Sequence, residues 1–405
     1  MPRTKRKKSS AKSKPFYARR WGSNERRNRS RIWHHVQKAF RVEKPRYWWK
    51  ERSLGQRIGI FFVTAVLVLT LLMYGFAQIY IFRHRNEQLK LGTTFVPNYA
   101  RYFELDPKET LSAMMNDLGL RRFRFVSYWS DIEKTNGTYD FSELDWQFEM
   151  ARQANAEVSL AIGLRQPRWP ECHMPNWARE MPKDKWYPEL KDFMQATIER
   201  YKDHPNLKSY QLENEFFLSV FGRCPDHSRE RLIDEFKVVK SLDDKKPVII
   251  TRSNNAVPSW PIGEPQPDQS GAAVYKRVWD KTVTQRYFEY PLPSWYYAFF
   301  AGATELTTGR NTILHELQAE PWMPPGYDLR QASIEEQDKS MSADMLEKRI
   351  EYGKATGLKT IDLWGAEWWY WRKVKGNDPS LWDAAKRSIQ KTQNAQAYRE
   401  GEHTP

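Results

Sequence analysis

Apolar and polar positions divide the chain into one long uncharged run followed by many short, alternating segments. The run Ile58–Phe82 has 25 residues without a single charge, and about 20 apolar residues in a helix are enough to cross the hydrocarbon core of a bilayer. A secretory signal peptide has a shorter apolar region, about 7–15 residues, and a short basic leader. The run therefore predicts an uncleaved transmembrane anchor.

Beyond residue 90, short β-like runs alternate with segments of helical periodicity. The first of these helices has Asp106 as its N-cap, Pro107 in its first turn and Gly119 as its stop. The runs that predict strands are 92–97, 121–127, 157–163, 207–214, 247–251, 271–277, 311–316 and 359–365. Further helices are predicted near 142–154, 189–203, 228–241, 293–302, 341–356 and 380–392. Eight strands alternating with helices over about 300 residues favour a closed parallel (β/α)8 barrel of the α/β class over an open sheet.

Four regions follow from these segments. We expect a basic, largely disordered tail at 1–57, the anchor helix at 58–82, the barrel domain at 90–392 and a polar C-terminal tail at 393–405.

The excess positive charge lies entirely before the anchor. Residues 1–57 hold 20 Lys and Arg against three Glu, whereas the remaining residues hold 45 basic and 47 acidic side chains. The positive-inside rule therefore predicts a single-pass cell-membrane protein with a cytoplasmic N-terminus and an extracellular barrel. We expect the tail to touch anionic lipid headgroups, and we expect no nucleic-acid partner because no recognition module follows it.

The only two cysteines, Cys172 and Cys224, follow predicted strand ends in the outward-facing part. A non-reducing exterior permits a disulfide, so we predict that they pair and clamp two loops. Two buried free thiols are the alternative.

Two acidic residues end predicted strands that face each other across the barrel. Glu215 follows the fourth strand and Glu316 ends the seventh, and the carboxyl ends of barrel strands are where chemistry gathers. Cleavage of a glycosidic bond uses one carboxyl group that donates a proton and one carboxylate that attacks the anomeric carbon. Arg124 would keep Glu316 charged, and Asn214 could hydrogen-bond the sugar 2-hydroxyl.

Several motifs carry a resemblance to a known group of enzymes. "QLENE" (211–215) resembles the Asn-Glu signature of the clan A (β/α)8 glycoside hydrolases, which include cellulases, β-galactosidases and β-mannanases. The segments "RFVSYWSDIEKTNGTYDFSELD" (124–145), "ILHELQAEPW" (313–322) and "LWGAEWWYW" (363–371) resemble their second strand and loop, their nucleophile strand and their eighth strand.

The resemblance implies a role for each matching residue. Glu215 would be the acid/base, Glu316 the nucleophile and Asn214 the contact to the 2-hydroxyl. Arg124 would support the nucleophile. Glu320, four residues beyond Glu316, leaves a second candidate for the nucleophile.

Aromatic residues complete the implied site. Trp364 would form the floor under the scissile sugar, and Tyr275 on strand six would hydrogen-bond Glu316. Sugar rings stack on flat aromatic faces, and several of the 18 tryptophans follow strands. Those are Trp129, Trp169, Trp260, Trp322, Trp368 and Trp369. We single out Trp169 and Trp322 as candidate contacts to an oligo- or polysaccharide substrate.

The sequence therefore predicts a membrane-anchored retaining glycoside hydrolase that acts on a β-linked saccharide. Two alternatives stay open: a non-catalytic polysaccharide-binding barrel and an envelope-glycan transglycosylase. We expect no cofactor and no metal site, because no pair of Cys or His has zinc spacing.

Overall fold

A computed structural model describes residues 49, 51–218, 222–253 and 263–402. The chain divides into two compact units, Met1–Thr70 and Leu71–Pro405. Helix α1, Leu54–Arg83, begins in the first unit and ends in the second. Among the described residues it is the one helix long and apolar enough to cross a membrane, judged by length and composition. Most of the basic tail predicted at 1–57 lies outside the described residues.

The predicted eight-stranded barrel is confirmed. Its strands are β1 Lys90–Thr94, β2 Arg122–Val126, β3 Glu157–Ile162, β4 Leu207–Leu212, β5 Val248–Ser253, β6 Gln269–Val274, β9 Thr312–Gln318 and β10 Thr360–Trp364. They are all parallel and close in the order β1-β10-β9-β6-β5-β4-β3-β2. Strands β2 and β9 are buried along their whole length, as expected where helices cover one face and the barrel interior the other.

Helices surround the barrel and fill its loops. They are α2 Pro97–Tyr102, α3 Pro107–Asn116, α4 Trp129–Ile132, α5 Ser142–Gln153, α6 Lys183–Tyr201, α7 Arg229–Leu242, α8 Ser294–Thr308, α9 Ile334–Asp338, α10 Ala343–Lys354, α11 Ala366–Val374 and α12 Ser380–Glu402. The start of α3 follows the sequence signal: the Asp106 carboxylate accepts a hydrogen bond from the Glu109 backbone N–H at 2.8 Å, and Pro107 occupies the first turn.

Polar side chains fill the barrel interior in layers. Near the amino ends of the strands, Arg122 on β2 donates to the Asp362 carboxylate on β10 (Nε–Oδ1 2.9 Å), and His315 on β9 meets the same carboxylate (Nδ1–Oδ2 2.6 Å). Closer to the carboxyl ends, Arg124 on β2 reaches Glu316 on β9. Since β2 and β9 are not neighbours, that contact crosses the interior. The carboxyl ends of the strands form the mouth of the barrel.

The structure departs from the sequence prediction at the sixth strand. The run 271–277 was predicted as one strand, but β6 ends at Val274 and the chain enters an antiparallel hairpin, β7 Arg277–Asp280 and β8 Arg286–Glu289. The Gln318 side chain accepts hydrogen bonds from the backbone N–H groups of Lys276 and Arg277, both at 2.9 Å. A contact to another strand thus fixes the change of direction, which the local pattern does not encode.

Two further differences concern helices. Helices α2 and α11 form directly after β1 and β10 and were not predicted. Helix α12, predicted to end near 392, continues to Glu402 and so includes most of the segment taken as a polar tail.

Candidate active site

Both candidate carboxylates lie at the mouth and are almost completely buried. Glu316 is near the end of β9 and is 4% exposed, and Glu215 follows β4 and is 7% exposed. They line one cavity of about 1600 Å³. The other predicted residues that line this cavity are Asn214, Tyr275, Trp169, Trp322 and Trp364. A cavity of this size can accept several sugar rings.

Each oxygen of Glu316 has its own hydrogen-bond donor. Arg124 donates from Nη2 to Oε1 at 2.8 Å, and the Tyr275 hydroxyl donates to Oε2 at 2.8 Å. Arg124 is fully buried and also donates to Thr94 Oγ1 (2.8 Å) and Gln211 Oε1 (2.9 Å). A guanidinium held at several points gives the Glu316 carboxylate one orientation and a compensating charge.

The hydroxyl group of Tyr275 is buried near negative charge and stays protonated. Burial raises the pKa of Tyr275 well above its usual value, and the negative charges of Glu316 and Glu215 raise the pKa further. Tyr275 therefore remains a neutral hydrogen-bond donor at any physiological pH.

In the segment after β4, the side chains of two glutamates have different surroundings. Glu213 has a φ of 55° and Glu215 a φ of 41°, a left-handed conformation that non-glycine residues rarely adopt. The Glu213 carboxylate accepts from the backbone N–H of Leu164 (2.6 Å) and pairs with Arg231 (3.1 Å). Glu215 instead faces the cavity, with its backbone N–H bound to Thr251 Oγ1 at 2.8 Å. Glu213 is structural, and only Glu215 is available to a ligand.

The side chain of Asn214 is oriented from both ends. Its Oδ1 accepts from Gln211 Nε2 at 2.9 Å, and its Nδ2 donates to Glu171 Oε2 at 3.0 Å. Because Gln211 also accepts from Arg124, one chain of hydrogen bonds runs from Glu316 through Arg124 and Gln211 to Asn214. Sequence reasoning did not find Gln211 or Glu171.

Glu171 belongs to the loop after β3, which also carries Cys172. Burial raises the pKa of Glu171 to about 7, against the opposing effect of the Arg165 guanidinium. Cys172 and Cys224 form a disulfide with a Cα–Cα distance of 5.4 Å. This bridge joins the loops after β3 and β4 and so fixes Glu171 beside Asn214. The position of Glu171 next to a cysteine in a strand-end loop was the one signal in the sequence that could have identified it.

Trp364 is held against the cavity wall by the second acid of the β9 loop. Its Nε1 donates to Glu320 Oε1 at 2.7 Å, and the Arg168 guanidinium lies over its ring at 4.2 Å. Glu320 also pairs with Arg168 (2.6 Å) and accepts from the Tyr99 hydroxyl (3.0 Å). The contacts of Glu320 therefore orient an aromatic ring, whereas Glu316 is bound by Arg124 and Tyr275.

The remaining tryptophans divide between cavity and core. Trp169 and Trp322 line the cavity and are 63% and 38% exposed. Trp129, Trp368 and Trp369 are fully buried and belong to the core. Trp129 lies on α4, and Trp368 and Trp369 lie on α11. Trp260 lies outside the described residues.

The loop after β3 carries two further polar residues near the site. Arg165 is fully buried and donates to the backbone carbonyl of Asn214 at 2.6 Å. His173 lines the cavity while its ring stacks on Tyr128 at a centroid distance of 3.5 Å. Among the described residues, no three or more His, Cys, Asp or Glu side chains are grouped so that they could hold a metal ion.

Comparison with known proteins gives one sequence relative and many structural ones. No family model matches the chain. A β-galactosidase of Halorubrum lacusprofundi, named Bga, is 24% identical over 179 residues, which cover 38% of this chain and 25% of the relative. This chain thus spans about a quarter of the length of the curated relative that it matches.

Solved structures share the barrel. The β-galactosidase structure from Halorubrum lacusprofundi matches with a TM-score of 0.51 and 14% identity, covering 75% of this chain and 58% of the other. A GH5_18 protein of Bifidobacterium longum subsp. infantis matches with a TM-score of 0.51 and 12% identity, covering 75% and 79%. The β-galactosidase of Marinomonas ef1 matches with a TM-score of 0.50 and 12% identity, covering 78% and 61%. The fold of the residues beyond α1 is therefore the (β/α)8 barrel found in glycoside hydrolases of clan A.

Proposed function

We propose that the protein is a membrane-anchored retaining glycoside hydrolase that cleaves a β-linked saccharide. The observation that carries the proposal is the environment of Glu316. Arg124 and Tyr275 bind its two oxygens, 2.8 Å each, in the cavity that Glu215 also lines. A carboxylate that is buried, paired and oriented is suited to act as a nucleophile.

The reaction then needs two displacements. In the first, a Glu316 oxygen forms a bond to the anomeric carbon while the bond to the leaving oxygen breaks and Glu215 donates a proton to that oxygen. In the second, Glu215 removes a proton from water, whose oxygen attacks the anomeric carbon and releases Glu316. Asn214, oriented by Gln211 and Glu171, would hydrogen-bond the 2-hydroxyl in both steps.

The anchoring part of the proposal rests on α1. Its apolar length is sufficient to span a bilayer, and the basic residues that precede it favour a cytoplasmic N-terminus. The disulfide between Cys172 and Cys224 is consistent with a barrel on the oxidising side. Reporter fusions after residue 57 and after residue 402 test this topology, and a cytoplasmic reporter at the second position would contradict it.

The mechanism is tested with aryl β-glycosides and azide. Glu316→Ala should lose activity and recover part of it with azide, giving the α-glycosyl azide, because azide then attacks from the face that the nucleophile occupied. Glu215→Ala should give the β-glycosyl azide, because azide replaces water in the second step. Full activity in Glu316→Ala would refute the assignment.

The same experiment separates the alternatives. Binding of saccharides without release of aglycone from any glycoside would favour a polysaccharide-binding barrel. Longer products in the presence of an acceptor sugar would favour a transglycosylase. Glu320→Gln serves as a control for the second acid: we expect it to hydrolyse the aryl glycoside without azide, since the contacts of Glu320 reach Trp364 and Arg168.

A further inference from the structure

Helix α8 has an unusual composition for the outer layer of a barrel. Its 15 residues include only one charged side chain, Glu305. The half that begins at Ser294 carries four partly exposed aromatic residues, Trp295, Tyr296, Phe299 and Phe300. An outer helix with this little charge normally packs against another apolar surface or a lipid phase.

The last turns of α1 pack along one side of α8. Tyr74 contacts Trp295 and Phe76 contacts Phe299, with ring centroids 5.9 and 5.8 Å apart. Further along, a Cβ on Gly302 would come within 2.9 Å of the Phe76 ring and 3.1 Å of Tyr80, so the close approach depends on this glycine.

The contact continues to the end of α1. His84 Nε2 lies 2.7 Å from Glu305 Oε2. From the pair Tyr74–Trp295 to the pair His84–Glu305, the residue numbers on both helices increase in the same direction. The two helices therefore run parallel and side by side.

The direction of α8 relative to the barrel is fixed by its connections. Gly309 ends α8 only three residues before β9 begins at Thr312, so the C-terminal end of α8 lies at the amino ends of the strands. Trp295, at the opposite end of α8, lies on the side of the mouth. A contact of Ile81 supports the same direction. Ile81 packs on Gly357, which lies just before β10 begins at Thr360. From Leu71 to Arg83 the chain therefore runs from the mouth side toward the amino ends of the strands.

We propose that the mouth of the barrel faces the bilayer and that the substrate is a saccharide carried by a membrane lipid. This inference rests on the proposed function and adds the substrate class. If α1 enters the bilayer at Ile58, a span of about 20 residues ends near Ala77. Tyr74 and Phe76 then lie in the last turn of the span, and the mouth-side half of α8 lies at the outer interface, where Trp and Tyr are favoured.

The rim of the cavity has the chemistry expected at such an interface. In the β7–β8 hairpin, Val283 is 84% exposed and is flanked by the exposed cations Lys281 and Arg286. Phe288 and Tyr327 are exposed as well and line the cavity. Apolar side chains beside cations suit the boundary between acyl chains and anionic headgroups.

The turns at the opposite end of the barrel are polar. Arg121, Asn155 and Asn311 are exposed just before strands there, and Lys208 is exposed at the second residue of β4. The two ends thus differ in the way that a membrane-facing and a water-facing surface would differ. With the mouth toward the bilayer, a glycan on a lipid headgroup is confined to the plane that the cavity faces, so its effective concentration is high.

The orientation is tested without reference to catalysis. Full-length Val283→Cys and Lys208→Cys proteins, labelled without reductant so that the native disulfide stays closed, are placed in phosphatidylcholine–phosphatidylglycerol vesicles containing brominated lipids. We expect quenching of the fluorophore at position 283 and none at position 208. Equal quenching, or stronger quenching at position 208, would overturn the proposal.

The substrate class is tested with pairs of glycosides in the same vesicles. Aryl β-galactoside, β-glucoside and β-mannoside are compared with the dialkylglyceryl glycosides of the same sugars. Gly302→Leu, which cannot keep the close contact with Phe76, should lower turnover of the lipid glycoside about tenfold while turnover of the aryl glycoside is kept. Gly75→Leu is the matched control, because nothing lies within 4 Å of a Cβ at that position.

The outcomes distinguish the two proposals. Cleavage of an aryl glycoside without cleavage of any lipid glycoside refutes the substrate class and leaves the hydrolase proposal standing. Cleavage of neither refutes the hydrolase proposal, while the quenching experiment still decides the orientation. Unchanged turnover of the lipid glycoside in Gly302→Leu contradicts the role of the α1–α8 contact.

Discussion

Replacement of Glu171 by glutamine tests the electrostatics around Asn214. Burial raises the pKa of Glu171 from 4.5 to about 7 in the folded protein. The folded state therefore binds a proton more tightly than the unfolded state, so the stability associated with this group is fully present below pH 4.5. It is lost as the pH rises through about 7. A rise from 4.5 to about 7 corresponds to roughly 3 kcal/mol of unfolding free energy.

Glutamine keeps the shape and the acceptor for Asn214 Nδ2 but cannot ionise. The change in stability between pH 4.5 and pH 8 should therefore be smaller in Glu171→Gln than in the wild type by roughly 3 kcal/mol. Glu367 is also buried, and burial raises its pKa to about 7. Its contribution is the same in both proteins and cancels in the comparison.

The assay is thermal unfolding in detergent micelles, followed by tryptophan fluorescence at the two pH values. For a domain of this size, 1 kcal/mol corresponds to about 2 °C in Tm, so the two proteins should differ by about 6 °C in how far Tm falls between pH 4.5 and pH 8. Glu180→Gln makes the same chemical change at an exposed carboxylate and should behave as the wild type. If Tm falls as far between pH 4.5 and pH 8 in Glu171→Gln as in the wild type, burial does not control the ionisation of Glu171.

Three further predictions concern the cavity. Tyr275→Phe removes a hydrogen bond to a buried carboxylate worth about 1.5–3 kcal/mol, so kcat for an aryl β-glycoside should fall about ten- to a hundredfold; an unchanged kcat would contradict the role of the hydroxyl. Arg124→Met leaves Glu316 buried without its cation and should lower the unfolding free energy by about 3–5 kcal/mol, measured by urea unfolding in micelles, and a loss below about 1 kcal/mol would count against the ion pair. Trp169→Ala removes a mostly exposed ring from the rim and should raise KM for an oligosaccharide with kcat kept; a fall in kcat at constant KM would show that Trp169 acts on the reacting sugar instead.

The sequence alone determined the barrel and the apolar helix. Alternation of apolar and polar positions, N-caps such as Asp106 and the lack of charge in Ile58–Phe82 are local properties, so they predicted the eight strands and one long apolar helix. The same reasoning placed Glu215 and Glu316 at strand ends that meet at the mouth. Their catalytic roles stay predictions until the azide experiment is done.

Tertiary structure decided what surrounds these residues. Gln211 joins Arg124 to Asn214 only because β2 and β4 are brought together when the barrel closes. The ionisation of Glu171 depends on burial by parts of the chain distant in sequence, which no local pattern contains.

The direction of the last turns of α1 was also outside the reach of the sequence. An apolar helix before a barrel can enter from either end, and its composition is the same in both cases. The order of the contacts along α8, from Tyr74 with Trp295 to His84 with Glu305, decides between them. Local pattern thus set which segments form helices and strands, whereas packing between distant segments set the side from which the chain reaches the barrel.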